Sequence, residues 1–445
     1  LIIILLIITR IGYWNLIVVE GQWDEITYLI AGREILKGKI PYIDFYEIKT
    51  VFSFFPYIVA SIFENKILAI RILGSISILI STYLLFLQCR KLSNENIAKI
   101  TCLLFIGLNS SIEYQSSGIT LFIYPFLLLI SHTLIFAKKN SNNFFIVGVL
   151  TSVVCLMRLN FYPLAIVNFI LLIFIFKVSI KEILSYIFGG LLPLILFVSV
   201  YSSLINNGFY ILYESLFLNM IVAGNYINYL WHSREIIRYL FDDIIGVIFL
   251  FSTLIIIFEK NKINKAIYYS FIGTSLSVLI VFTGKFQLNN FFPYMCLVSS
   301  ISLSYLEIKI NLKKFNDKIN FNFLKYLKLL LILICFTPIL LSSSINIIKN
   351  YNLFKKLEKK VFSYDNSNLD KNFDSVEYLK KKIGSNDTIY AYDHFYYLML
   401  NKNLPTNVIH PSIIWRLGVY KNIYGVRNST EEELSKIFEK DLDWL

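Results

Sequence analysis

The sequence predicts a polytopic α-helical membrane protein, and three observations carry that prediction. Apolar residues fill 56% of the 445 positions and charged residues 16%, with a mean hydropathy of +0.62, so the bilayer is the main solvent. Apolar stretches recur along the chain at the roughly 17 to 25 residues that a crossing needs. The cations collect in alternate short loops, the signature of membrane orientation.

The chain opens inside an apolar run. An arginine at mid-bilayer costs at least about 2.5 kcal/mol, so Arg10 is expected near the outer end of a first span that starts before Leu1. Later spans are expected near 69–89, 97–113, 118–137, 143–158, 160–177, 183–203, 239–258, 266–283, 291–308 and 327–347, about eleven in all. Arg90, Lys91 and Lys99, the pair Lys138 and Lys139, Lys177 with Lys181, Lys260 with Lys262 and Lys265, and the run from Lys309 to Lys328 mark the cytoplasmic loops. The loops at 111–117, 158–162, 204–238 and 284–290 are poor in cations and belong outside. That alternation puts the loop 20–66 and everything after about 348 on the outer side.

Two domains follow from this division. Residues 1–348 form the transmembrane unit, with its first outer loop at 20–66. Residues 349–445 form a small outer α/β domain: Asp374-Ser375-Val376-Glu377 and Thr430-Glu431-Glu432-Glu433 each open a helix, Thr388 to Tyr392 reads as a strand, and a final strand is expected beyond Leu445.

The net charge of +12 does not indicate nucleic acid, because the Lys and Arg residues are dispersed among short loops. Cys89, Cys102, Cys155, Cys296 and Cys335 lie in or beside apolar segments without paired spacing, so neither disulfides nor a zinc site are expected. His132 reads as an interhelical hydrogen-bonding residue, Asp242 and Asp243 as a membrane boundary, and His394 and His410 as outer-domain residues.

The first outer loop holds the densest polar chemistry. Asp24 to Lys37 reads as a helix lying on the membrane, with Asp24 and Glu25 at the end that favours negative charge, Gly38 as its stop and Pro41 beyond. Val51 to Phe63 is too short to cross and contains Ser53, Pro56 and Tyr57, which suits an interfacial or re-entrant helix. Spans 143–158 and 160–177 meet in a hairpin with Arg158 at its tip.

The ordered set Asp24-Glu25, Tyr28, Gly38-Lys39-Ile40-Pro41-Tyr42, Glu47 and Lys49 resembles the first periplasmic loop of the GT-C glycosyltransferases. The likeness is to the family 39 and family 83 type of bacterial enzymes that use polyprenyl-phosphate sugars. It continues into Ala69-Ile70-Arg71 at the start of the second span and into the topology, and it departs from the family after Lys49, where Thr50-Val51 stand in place of two prolines.

The resemblance implies a GT-C fold in a bacterial inner membrane, with a periplasmic site and inverting hexosyl or pentosyl transfer. Asp24 is the implied general base, with Glu25 beside it as a second catalytic carboxylate. Tyr28, Tyr42, Lys49, Arg158 and Lys285 are the candidate substrate-binding residues, the cations facing the donor phosphate. Relatives that bind a divalent ion point to Glu47 and His232 as its ligands. The implied partners are a polyprenyl-phosphate sugar, a glycan, lipid or protein acceptor, and membrane lipids.

Three other classes compete with this one. A transporter or flippase would carry its charges and helix breaks at mid-membrane. A lipid-linked oligosaccharide polymerase or ligase would place its large outer loop late and fill it with Arg and His. A membrane anchor would not need this many spans.

Overall fold

The computed structural model describes residues 23–109 apart from 48, 118–218, 292–313, 371–384 and 394–409, with a few isolated positions and the short strands Asn422–Ile423 and Asn428–Ser429. Helices dominate. In the first loop α1 (Trp23–Leu36) is followed by α2 (Val51–Ser61). A run of apolar helices comes next: α3 (Lys66–Leu92), α4 (Glu95–Leu108), α5 (Ile119–Phe136) and α6 (Ser141–Met157). A single 3₁₀ turn, Leu159–Phe161, leads into α7 (Tyr162–Ile170) and a π turn at Leu171–Ile175. After α8 (Ile180–Leu204) the short α9 (Gly208–Leu212) runs into a second π turn, Tyr213–Leu218. Beyond these lie α10 (Phe292–Lys313), α11 (Lys371–Lys382) and α12 (His394–Met399). The two strands, β1 (Asn422–Ile423) and β2 (Asn428–Ser429), pair antiparallel.

The helix starts are written in the sequence. Asn65, Asn94 and Asn140 each accept a backbone N–H three residues on, at 3.0, 3.0 and 2.8 Å, satisfying donors that the first turn leaves open. Ser179 and Glu182 close a capping box on α8. Among the described residues three helices, α3, α5 and α8, are long and apolar enough to cross a membrane. The spans expected near 239–258, 266–283 and 327–347, and the first span, lie outside the described residues but for Ile267.

Polar and small residues hold the bundle, as they do where lipid removes the hydrophobic drive between helices. Ser77 of α3 donates to the Leu121 carbonyl at 2.6 Å. Gln88 donates to the Leu128 carbonyl at 2.8 Å and accepts from Ser131 at 2.8 Å, tying α3 to α5. Gly148 of α6 and Gly189 of α8 bring the two backbones into contact, leaving no room for a Cβ on either. One side of α8, with Leu184, Phe188, Leu191 and Ile195, is exposed and apolar, as a lipid-facing surface requires.

The sequence expectations shift in three places. The helix expected over Asp24 to Lys37 ends at Leu36, and Ile26, Tyr28, Leu29 and Ile30 in it are all buried, because α2 and α12 pack against it. The span expected as one helix over 160–177 is a 3₁₀ turn, an α-helix and a π turn, with Pro163 at the α-helix start. The helix expected to open at Asp374 begins at Lys371. Of the outer-domain expectations, the helix from Thr430 lies outside the described residues but for Ser435.

Candidate active site

The site begins at the first turn of α1, whose N-terminus favours negative charge. The two acidic residues there are placed differently. Asp24 is exposed, whereas Glu25 is 1% exposed and ion-paired through Oε2 with Nη2 of Arg71 at 3.4 Å. Arg71 is itself buried near the start of α3, so this pair ties the beginning of α1 to a long apolar helix.

The loop from Pro41 to Thr50 is the second component. Tyr42 adopts a left-handed backbone, φ +67°, a conformation a bulky side chain rarely takes. Three hydrogen bonds hold it there. The Tyr42 N–H donates to the Phe45 carbonyl at 2.6 Å, the Tyr42 hydroxyl to the Lys49 carbonyl at 2.6 Å, and the Tyr201 hydroxyl of α8 to the Pro41 carbonyl at 2.7 Å. The fully buried Tyr42 ring thus braces the backbone of Lys49 from beneath. Glu47 is likewise fully buried, and Lys49 is half-buried.

The third component comes from the hairpin tip. The hydroxyls of Thr50, which precedes α2, and Ser53, in its first turn, donate to the carbonyls of Leu156 and Met157 at the end of α6. Lys49 precedes Thr50 and Arg158 follows Met157, so these bonds hold two cations side by side. Arg158 in turn donates from Nη1 to the Thr120 hydroxyl at the start of α5.

The electrostatics bind these parts into one cluster. Burial, then the Arg158 positive charge, push the Lys49 ammonium below its usual value, while Asp24 and Glu47 oppose the shift. Burial also lowers Arg158, and the negative charge of Asp24 opposes that shift. Burial raises the Tyr28 phenol well above its normal value, with Asp24 and Glu47 adding to the effect. Tyr57 is raised too, by burial first and then by Glu25 and Asp24. Both phenols therefore remain protonated donors. Their rings meet edge to face, with centroids 5.2 Å apart.

The structure accordingly brings together Asp24, Glu25, Tyr28, Tyr42, Glu47, Lys49 and Arg158. Lys285 and His232 lie outside the described residues. Sequence reasoning did not find Tyr57, Thr120, Thr50, Ser53 or the role of Arg71 in this site. Arg71 did carry a signal, being a lone cation inside an otherwise apolar span, where a buried counter-charge is to be expected. Thr50 and Ser53 carried none, since their partners are backbone carbonyls more than a hundred residues away.

An anion can be met here by two cations and neutral phenols beside an exposed carboxylate. Such an arrangement suits transfer chemistry in which a proton is taken and a negatively charged group departs.

Residues 50–202, which begin at Thr50 and contain Arg71 and Arg158, match the family described as dolichyl-phosphate-mannose-protein mannosyltransferase. No curated protein matches the chain. Among solved structures it is similar to ArnT from Cupriavidus metallidurans bound to undecaprenyl phosphate, with a TM-score of 0.56 at 11% identity over 91% of this chain and 84% of that one. The apo state of the same protein gives a TM-score of 0.55 at 11% identity, over 91% and 84% of the two chains. The Archaeoglobus fulgidus oligosaccharyltransferase complex with Zn and sulfate is a looser likeness, at a TM-score of 0.47 and 12% identity over 90% of this chain and 61% of that one. The family match covers about a third of the chain, from α2 to most of α8, and the likeness to ArnT shows a shared multi-helix fold.

Proposed function

We propose that the protein is a membrane glycosyltransferase of the GT-C type, which moves a sugar from a polyprenyl-phosphate donor to a hydroxyl of a glycan, lipid or protein acceptor at the periplasmic face of a bacterial inner membrane. The observation that carries the reading is the pairing of Lys49 with Arg158 in electrostatic reach of Asp24. Undecaprenyl phosphate bound to ArnT, a protein of the same fold, supports a donor of this class.

In the proposed reaction the Asp24 carboxylate takes the proton of the acceptor hydroxyl. The acceptor oxygen forms its bond to the anomeric carbon as the bond from that carbon to the phosphate oxygen breaks. The electron pair leaves with the polyprenyl phosphate, whose added charge is met by Lys49 and Arg158. Attack opposite the leaving group inverts the anomeric configuration, and a hexose or a pentose fits this scheme equally. Tyr28, a buried neutral donor beside Asp24, is assigned to the sugar or its phosphate. Glu25, paired with Arg71, is assigned to fixing the helix start, and Tyr42 to fixing Lys49. Lys285 is kept as a further phosphate ligand by resemblance.

The divalent ion expected from the resemblance requires Glu47 and His232 together. Of that pair Glu47 is fully buried beside Lys49 in the sequence, and His232 lies outside the described residues.

Purified enzyme in nanodiscs, offered a panel of polyprenyl-phosphate sugars and an extract of envelope acceptors, is expected to use one donor. Asp24→Asn should lower turnover on the order of 10²- to 10⁴-fold with donor KM nearly unchanged. Wild-type turnover by that variant would overturn the base assignment.

A further inference from the structure

We infer that the C-terminal segment 394–409 is a positioning element for the loop 41–50, acting through Arg33 and through backbone pairing at Tyr46; the inference rests on the assignment of Lys49 to the donor phosphate.

Arg33 lies in the last turn of α1 and is 4% exposed. Its Nη1 donates to the Tyr397 carbonyl and its Nη2 to the Lys402 carbonyl, both at 2.9 Å, while Nε donates to Glu34 at 2.9 Å. A helix end leaves carbonyls without intrahelical partners, and α12 ends at Met399, so the guanidinium caps the turn that follows that helix. Glu34 also binds Lys39 at 2.6 Å and Lys37 at 3.1 Å, and Lys37 reaches the Asn403 side chain at 3.3 Å. One end of the loop is thus fastened to the segment through α1.

The other end is fastened directly. The Tyr46 N–H donates to the Asn407 carbonyl at 2.7 Å, and the Ile409 N–H donates to the Tyr46 carbonyl at 3.0 Å, a parallel bridge opposite Val408. Tyr46 and Val408 are both fully buried. Glu47 is the next residue after this bridge and Lys49 the third, so the bridge sets how far along the loop each of them falls. None of the described residues among 41–50 is helical, and a loop of this kind needs outside backbone partners to keep one conformation. The Arg33 contacts and the bridge flank the Pro41–Tyr42 turn from both sides. The C-terminal segment therefore acts on the donor end of the reaction, through Lys49, in addition to any contact it makes with the acceptor.

The test uses the full chain in nanodiscs with two readouts, steady-state kinetics against donor and acceptor and hydrogen–deuterium exchange of peptide 41–50. Arg33→Ala and Ile409→Pro should each raise donor KM about tenfold, with turnover and acceptor KM within about twofold of wild type. Exchange in 41–50 should rise at least about tenfold and stay unchanged in 51–61. Arg33→Lys, which keeps the charge but not the two-armed grip, should fall between. In a Lys49→Ala background Arg33→Ala should add no further loss of donor affinity. Unchanged exchange in 41–50, or a fully additive loss in the double variant, overturns the inference. If Lys49→Ala alone leaves donor KM unchanged, the phosphate assignment falls, and exchange in 41–50 still decides whether the segment positions the loop. Should Ile409→Pro fail to fold, Arg33→Ala carries both readouts.

Discussion

The Thr50 hydroxyl donates to the carbonyl of Leu156, joining the start of one short helix to the end of another apolar one. With the Ser53 hydroxyl on the Met157 carbonyl, it holds Lys49 against Arg158 despite their mutual repulsion. Replacing Thr50 with Val keeps the shape and removes the donor, a loss of about 1 kcal/mol for a hydrogen bond of this kind. Donor KM in Thr50→Val should therefore rise about fivefold, and adding Ser53→Ala should raise it further. Steady-state kinetics at varied donor would check this; an unchanged KM in the double variant would mean that the two cations are aligned by something else.

Lys49 should give the reaction an alkaline limb. Its folded ammonium titrates below the ordinary lysine value of about 10.4, so phosphate binding that needs the charge weakens earlier in pH than for an exposed lysine. The sign for stability is opposite. Between the lowered folded value and the unfolded value the unfolded chain holds more protons, so stability rises with pH across that window, while below it the cost of burying the charge is fully present. Donor KM measured from about pH 7 to 10 should climb in the wild type. Lys49→Arg, whose guanidinium stays charged, should flatten that climb.

The two neighbouring carboxylates should separate cleanly. Arg71→Met leaves Glu25 buried without its cation, a change that costs about 3 to 5 kcal/mol where such pairs have been broken. Thermal unfolding in detergent should show a clear fall in Tm for Arg71→Met and a partial recovery when Glu25→Gln is added. Turnover by Glu25→Gln should stay well above that of Asp24→Asn. Equal losses in the two single carboxylate variants would return Glu25 to the chemistry.

Much of the fold was legible because the bilayer imposes a length and a composition on every crossing, and the observed α3, α5 and α8 fall on the expected spans 69–89, 118–137 and 183–203. The start of the site was legible for a similar local reason: Asp24, Glu25 and Gly38 are helix-end residues, and Gly38 does adopt φ +86° after α1. What could not be read was anything that depends on distant backbone. The grip of Arg33 on carbonyls 364 and 369 residues away has no side-chain partner pattern to betray it, and neither has Thr50 on Leu156. The opposite fates of Asp24 and Glu25 were also hidden, since one residue's rotation about α1 decides which carboxylate meets Arg71.

Gly32 gives the sharpest test of how the first loop is assembled. A Cβ there would lie 2.6 Å from the carbonyl carbon and oxygen of Tyr57 and 2.8 Å from the backbone nitrogen of Ile58, so α1 and α2 touch where only hydrogen fits. Backbone cannot rotate away as a flexible side chain can. Gly32→Ala should push the two helices apart at a cost of about 1 to 3 kcal/mol, moving Tyr57 off Tyr28 and with it the wall of the site. Both Tm and turnover should fall. Gly38→Ala makes a matched control, because a Cβ at Gly38 meets nothing within 4 Å and the change strains the turn alone. It should lower Tm with a smaller effect on turnover. If Gly32→Ala matched the wild type in both measurements, α1 and α2 could not be seated face to face, and the placement of Asp24 beside Lys49 would lose its support.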